Sequence, residues 1–375
     1  MVKQHVYADN AATTKLDVDT LQSMLPWLQE EFGNASQPYT FSREPKKALT
    51  EARSIIAECI GADPEEIFFT SGGTESDNWV IKSSAFADAE HRAMITSSFE
   101  HHAVLNSCAF IERLGFPVVY VQPNEEGQIL PDTLNGLITE STRLVSIMFA
   151  NNEIGSVQPI KELCDIAHQH GALFHTDAVQ AVGHIHVNVH DLGVDFLSAS
   201  AHKFNGPKGI GFLYIRRGVD LPPLLNGGAQ EKKHRAGTEN IASIVGMAVA
   251  LKENCRSLIG IQEHIMSLEN RLLAKLKETG LSFLRNGGKN TLPGLLSLSF
   301  PGKDGEAILH RMDLAGISIS TGAACDSVET KISHVLQAIK LDEGLSKGTI
   351  RISLGKNNTE EDVDQIVTAL VRILS

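Results

Sequence analysis

The stretch Ser200-Ala201-His202-Lys203-Phe204-Asn205-Gly206-Pro207-Lys208-Gly209 gathers a hydroxyl, an imidazole and an amine in a turn rich in Gly and Pro. Most lysines are solvated surface charges. A lysine held in a tight turn can also condense with a carbonyl, with Ser200 and His202 as anion-binding neighbours. A second chemical feature lies earlier. The apolar run Glu66-Ile67-Phe68-Phe69-Thr70 leads into Ser71-Gly72-Gly73-Thr74-Glu75-Ser76, and helical spacing follows to about Phe86. A strand, a Gly turn and a helix start expose backbone N–H groups and the positive end of the helix dipole to an anion. An ordinary helix capped by Thr74 or Ser76 fits the same residues, and the Gly-Lys-Ser/Thr ending of a P-loop is absent. A third feature is Asp177, two residues past the strand-like Ala172-Leu173-Phe174-His175. Cys325 stands in a small polar loop, and Arg351 in the strand-like Thr349-Ile350-Arg351-Ile352-Ser353-Leu354.

The segments between these residues must position them. From Glu66 to Ile215 short apolar runs alternate with helical periods, which argues for an α/β domain with a mainly parallel sheet. Ligands in such sheets bind outside the carboxyl ends of the strands. Thr74, Glu100-His101, Asn151-Asn152-Glu153, Asp177 and Lys203 all fall at such ends. A long helical region runs from Ile241 to about Thr279, with a connection expected near Asn254–Gly260. The expected division is a large domain over 16–255 and a smaller α+β domain of 1–15 with 256–375, which carries the Cys325 loop. His184 and His186 alternate like metal ligands, but a half-exposed strand is the expected cause.

Composition excludes several function classes. With 375 residues, of which 42% are hydrophobic, the chain can bury a large core. A net charge of -12 disfavours nucleic acid as a partner. No apolar run is long enough to span a membrane, and the N-terminus has no secretion-signal pattern. The five cysteines are scattered and form no CxxC pair. Free thiols in a reducing cytoplasm are expected, with no metal site.

A carboxylate after a strand, a lysine further on and a Gly-Thr helix start are together what pyridoxal phosphate requires. Its ring nitrogen needs an acid, its aldehyde an amine and its phosphate a helix start. The sequence resembles the cysteine desulfurases, pyridoxal-phosphate enzymes of aminotransferase class V. The motifs that carry the resemblance span most of the chain. They are Asp9-Asn10-Ala11-Ala12-Thr13-Thr14, Gly33-Asn34, Thr70 to Ser76, Glu100-His101, Asn151-Asn152-Glu153-Ile154-Gly155, Ala201-His202-Lys203, Gly206-Pro207-Lys208-Gly209, Gly237-Thr238-Glu239-Asn240, Ser320-Thr321-Gly322-Ala323-Ala324-Cys325 and Ile350 to Gly355.

The resemblance implies an aminotransferase-like large domain of the fold type I pyridoxal-phosphate enzymes. Lys203 carries the cofactor and moves protons, Asp177 pairs with the ring nitrogen, and Gln180 meets the phenolic oxygen. His101 stacks on the ring and serves as acid or base. Gly73, Thr74, Ser200 and His202 bind the phosphate, joined by Thr238 from the second subunit of a homodimer. Arg351 clamps the substrate carboxylate beside Asn152. The implied reaction converts L-cysteine to L-alanine and leaves the sulfur on Cys325 as a persulfide. An acceptor protein, such as an iron–sulfur scaffold or a sulfur carrier, then takes it. A selenocysteine lyase or another class V enzyme of the same fold is the alternative.

Two segments depart from the family pattern. After Gly33-Asn34 the family usually has Pro-Ser-Ser and then a His, where this chain has Ala35-Ser36-Gln37 and Tyr39. Beyond Cys325 stand Asp326 and Glu329, where a small Ser/Thr-rich run is usual. Carboxylates beside a thiol are expected to raise its pKa.

Overall fold

A computed structural model describes residues 5–87, 90, 92–321 and 332–375. Its first part runs β1 (Val6–Tyr7), α1 (Val18–Gln29), α2 (Arg43–Ile60), β2 (Ile67–Thr70), α3 (Gly73–Phe86), β3 (Ala93–Ser97), α4 (His102–Glu112) and β4 (Val118–Val121). It continues through α5 (Pro131–Asn135), β5 (Thr142–Ser146), α6 (Ile160–Gln169), β6 (Leu173–Asp177), α7 (Val189–Leu192), β7 (Phe196–Ser200), β8 (Gly211–Ile215) and α8 (Ile241–Arg256). Seven of these strands form one sheet in the order β2-β8-β7-β6-β5-β3-β4. All its pairings are parallel except those of β8, which runs antiparallel to both β7 and β2. Chain length explains the exception. Parallel neighbours need a crossover of a dozen or more residues, usually a helix. The short Lys203 turn between β7 and β8 can only make a reversal.

That reversal decides where the site forms. β2 runs with β7, so Thr70 and Ser200 come to the same edge, each opposite Gly211. Asp177 ends the adjacent β6. Every residue of β2, β7 and β8 is buried, as expected of a sheet covered on both faces. Phe174, Phe196 and Phe212 are among its fully buried side chains, each worth about 1.5–3 kcal/mol of transfer free energy.

The second part comprises α9 (Leu258–Glu278), β9 (Leu284–Asn286), β10 (Leu295–Ser299), α10 (Gly305–Leu314), β11 (Ile317–Ser318), α11 (His334–Ala338), α12 (Glu343–Lys347), β12 (Thr349–Ser353) and α13 (Glu360–Leu374). Strands β9, β10 and β12 form an antiparallel sheet with β10 in the middle. A separate core gathers Leu268, Leu272, Leu298, Ile350 and Leu370. Val6 and Ala8 join this core, and β1 pairs with β11. The helical region expected over 241–279 is broken at Ser257, between α8 and α9. No described helix is long and apolar enough to cross a membrane.

Some local expectations change. The strand expected at Leu144–Phe149 ends at Ser146, yet Ile147 and Phe149 still donate to the carbonyls of His175 and Asp177. The strand expected around His184 and His186 is a turn with one isolated bridge, Val182 to Ile185. Gly183, at φ +80, reverses the chain there.

Gly211 is the tightest point of the site edge. A Cβ there would press on the Ala199 carbonyl and come within 2.7 Å of the Gly72 Cα. Gly211→Ala is therefore expected to destabilise the protein by about 1–3 kcal/mol, the usual penalty of overpacking. Urea unfolding of the variant against the parent measures it.

Candidate active site

A cavity of about 610 Å³ opens at the carboxyl edge of the large sheet, within the roughly 300–1,000 Å³ usual for small-ligand sites. Its lining includes Gly73, Thr74, His101, Asn152, Asp177, Gln180, Ser200, His202, Lys203 and Arg351. These residues come from distant parts of the chain. Thr238 is exposed and is not among the cavity's described lining. Cys325, with Asp326 and Glu329, lies outside the described residues.

The anion end is built from α3 and the Lys203 turn. Gly72 precedes α3 with φ +149, a conformation open to glycine and little else. No side chain caps this helix. Neither Thr74 nor Ser76 takes the capping role; the Ser76 hydroxyl bonds to Thr70 Oγ1 at 2.9 Å instead. Arg235 forms a paired hydrogen bond to Glu75, at 2.8 and 3.0 Å, and so fastens the 226–240 stretch to the start of α3. Burial, then Lys203 and Lys208, pushes the His202 imidazole down to about 4. At neutral pH it is therefore an uncharged hydrogen-bonding group beside two lysines.

The Lys203 turn is held on all sides. Thr14 Oγ1 donates to the His202 carbonyl at 2.9 Å, and the Asn205 N–H donates to Thr14 Oγ1 at 2.8 Å. Asn205 adopts φ +63 and donates through its side chain to the Lys15 carbonyl. His184 Nε2 bonds to the Lys203 carbonyl at 2.8 Å, and Asn254 Nδ2 donates to the Phe204 carbonyl at 2.6 Å. The Lys203 ammonium donates to the carbonyls of Ala11 and Ala12 at 2.5 and 2.9 Å. Gln180 Nε2 donates to the same Ala11 carbonyl at 2.9 Å.

A buried polar layer lies at the strand ends. Burial pushes the Asp177 carboxyl up, while His101, the Val179 N–H and Lys203 hold it down. Ligand atoms of Asp77, His101 and Asp177 all lie within 4.8 Å of one another. Asp77 is raised by burial and then by Asp177. His175, fully buried, bridges Ser146 and Ser198 at 2.8 and 3.0 Å. Burial holds its imidazole at about 3. His101 Nδ1 accepts from the Ala103 N–H at 3.1 Å, which puts the neutral ring's proton on Nε2. Burial holds His101 below its ordinary 6.5.

At the far side of the cavity Arg351 is 5% exposed. It donates to Asp9 Oδ1 at 2.7 Å and to the Asn152 carbonyl at 3.0 Å, and its Nε has no partner among the described residues. Several contributors carried no assigned role in the sequence reading: Asp9, Thr14, His184, Asn205 and Asn254. Asp9 and Thr14 stood in a recognised motif. Nothing in the local pattern of His184, paired there with His186, or of Asn254 marks either as a support of the Lys203 turn.

Glu100 sits under this layer. Its Oε1 accepts from Ser97 and from the Met148 N–H, and burial pushes its carboxyl from 4.5 to about 8. The folded state therefore holds a proton that the unfolded chain releases between about pH 4.5 and 8. Stability contributed by protonated Glu100 falls as pH rises through that window. Glu100→Gln is expected to flatten the decline, read as melting temperature between pH 5 and pH 8. An unchanged slope would remove Glu100 as its source.

Residues 6–366 match the class-V aminotransferase family. A cysteine desulfurase IscS from Dictyoglomus turgidum is 47% identical over 375 residues, covering 100% of this chain and 95% of that protein. A solved NifS-like protein superposes with TM-score 0.94 at 38% identity and covers 99% of both chains. A solved structure of SspA in complex with cysteine has TM-score 0.83 at 37% identity, covering 94% of this chain and 100% of that one.

Proposed function

The chain belongs to the class V aminotransferases, among the cysteine desulfurases, and from that premise we propose that its cavity binds pyridoxal phosphate and L-cysteine and passes the sulfur to Cys325. The observation that carries this reading is the meeting of Lys203, Asp177, His101, Ser200 and the uncapped start of α3 in one cavity. The names of the relatives favour L-cysteine over the selenocysteine alternative.

The residues fit the cofactor on their own chemistry. Asp177 is a buried carboxyl raised by desolvation, so a protonated ring nitrogen is the partner that would keep it ionised. The start of α3, which no side chain caps, suits a phosphate, with Gly73, Thr74, Ser200 and His202 around it. Gln180 would meet the phenolic oxygen, and His101 the ring face. Thr238, exposed in its own chain, would reach the phosphate of the second copy in a homodimer. Bound there, pyridoxal phosphate supplies a carbonyl for the substrate amine and an electron-poor ring that accepts the pair left by the Cα proton.

The chain's own groups do the rest. Arg351 offers its guanidinium to the substrate carboxylate, with Asn152 alongside, and so orients the substrate. Lys203 takes the Cα proton and returns protons to carbon. The Cys325 thiolate attacks the substrate sulfur, the Cβ–S bond breaks, and the sulfur stays as a persulfide. Thiol plus cysteine becomes persulfide plus alanine, so atoms and electrons balance without another reactant. An acceptor protein then removes the sulfur.

Two measurements test this. Cys325→Ala is expected to abolish persulfide formed with L-cysteine, read by alkylation and peptide mass. Full persulfide elsewhere in the variant would sink the role of Cys325. Arg351→Gln is expected to raise KM for L-cysteine about 10- to 100-fold, the range for a lost charge-assisted bond. An unchanged KM would assign Arg351 to Asp9 alone.

A further inference from the structure

Two cysteines outside the cavity face one another. Cys59 is the penultimate residue of α2, and Cys255 the penultimate residue of α8. These helices pack side by side in the large domain. Both thiols are free and half-buried, at the margin of the core. Cys255 Sγ lies 3.9 Å from the Cys59 carbonyl, and the two side chains share a hydrogen bond.

We propose that Cys59 and Cys255 form a redox-active dithiol, which a low-molecular-weight disulfide oxidises to a Cys59–Cys255 disulfide.

The pair is chemically asymmetric. The hydrogen bond to Cys255, and then burial, push the Cys59 thiol up. Cys255 is held down because it accepts that bond, against the opposing effect of burial. Of the two, Cys255 is the more readily deprotonated. Thiolate character and access together make a cysteine reactive. Cys108 and Cys164 lack this arrangement: both are buried, and burial pushes both thiols up.

The exchange runs in two balanced steps. The Cys255 thiolate attacks one sulfur of the small disulfide, whose S–S bond breaks and releases one small thiol. The Cys59 sulfur, losing its proton, attacks Cys255 in the mixed disulfide and expels the second small thiol. The protein loses two electrons and two protons, and the small disulfide gains both. The dithiol also adjoins the catalytic turn, because Asn254, next to Cys255, donates to the Phe204 carbonyl at 2.6 Å.

The test uses the full-length holoenzyme. It is treated with oxidised glutathione, its remaining thiols are blocked, and it is digested without reductant. The expected product is a peptide pair joined through Cys59 and Cys255, separated by dithiothreitol. Cys59→Ser keeps a hydroxyl donor but removes the resolving thiol, so glutathione should stay on Cys255. Cys255→Ser should leave Cys59 at least about tenfold less modified, since the more readily deprotonated thiol is gone. Absence of the joined peptides from folded protein would overturn the proposal. Equal glutathione capture by the two variants would overturn the order of the two steps.

Discussion

The ammonium of Lys203, held by the carbonyls of Ala11 and Ala12, is the contact on which the site depends. It joins the 9–14 segment to the turn between β7 and β8. The same segment reaches the second sheet. Asp9 pairs with Arg351, and Asn10 Nδ2 donates to the Ser353 carbonyl at 2.9 Å. Thr14 closes the other end on the His202 carbonyl. One short strap therefore fixes the Lys203 amine and Arg351 and ties together two hydrophobic cores. An extended strap with its polar groups paired at both ends can hold such a position where an isolated loop could not.

Beneath the amine the protein buries more carboxyl groups than it pairs with cations. Asp77, Glu100 and Asp177 are all raised, with burial the first cause. Such a layer favours protonation wherever no positive partner is supplied. Asp177 borders the cavity, where a protonated ring nitrogen can meet it. Asp77 is buried but also lines the cavity, and Glu100 is buried outside its described lining. Burial thus favours the neutral form of all three, and Asp177 is the one that His101 and Lys203 draw back toward ionisation.

The legible parts of the site were those set by local chain geometry. Gly72-Gly73 before α3, Asp177 at the end of β6 and Lys203 after β7 each sit where a strand ends, and strand ends show in the sequence as a change of period. The alternation of runs also gave the α/β class. Its antiparallel β8 follows from the length of the Lys203 turn, which the alternation of runs does not express. His184, Asn205 and Asn254 were not legible as supports. Their partners in the Lys203 turn are fixed only once α8, the 182–185 turn and the strap have packed. Exposed apolar side chains of α1, such as Leu21 and Leu28, carry the helical period without being buried. Periodicity there located the helix but not its surroundings.

Lys203 is the amine proposed to carry the cofactor. Lys208 lines the same cavity and is the natural competitor. Borohydride reduction of the holoenzyme, followed by peptide mass mapping, separates them. One cofactor-bearing lysine per chain is expected, at Lys203, and none in Lys203→Ala. A cofactor fixed to Lys208, or to no lysine of this turn, would contradict it.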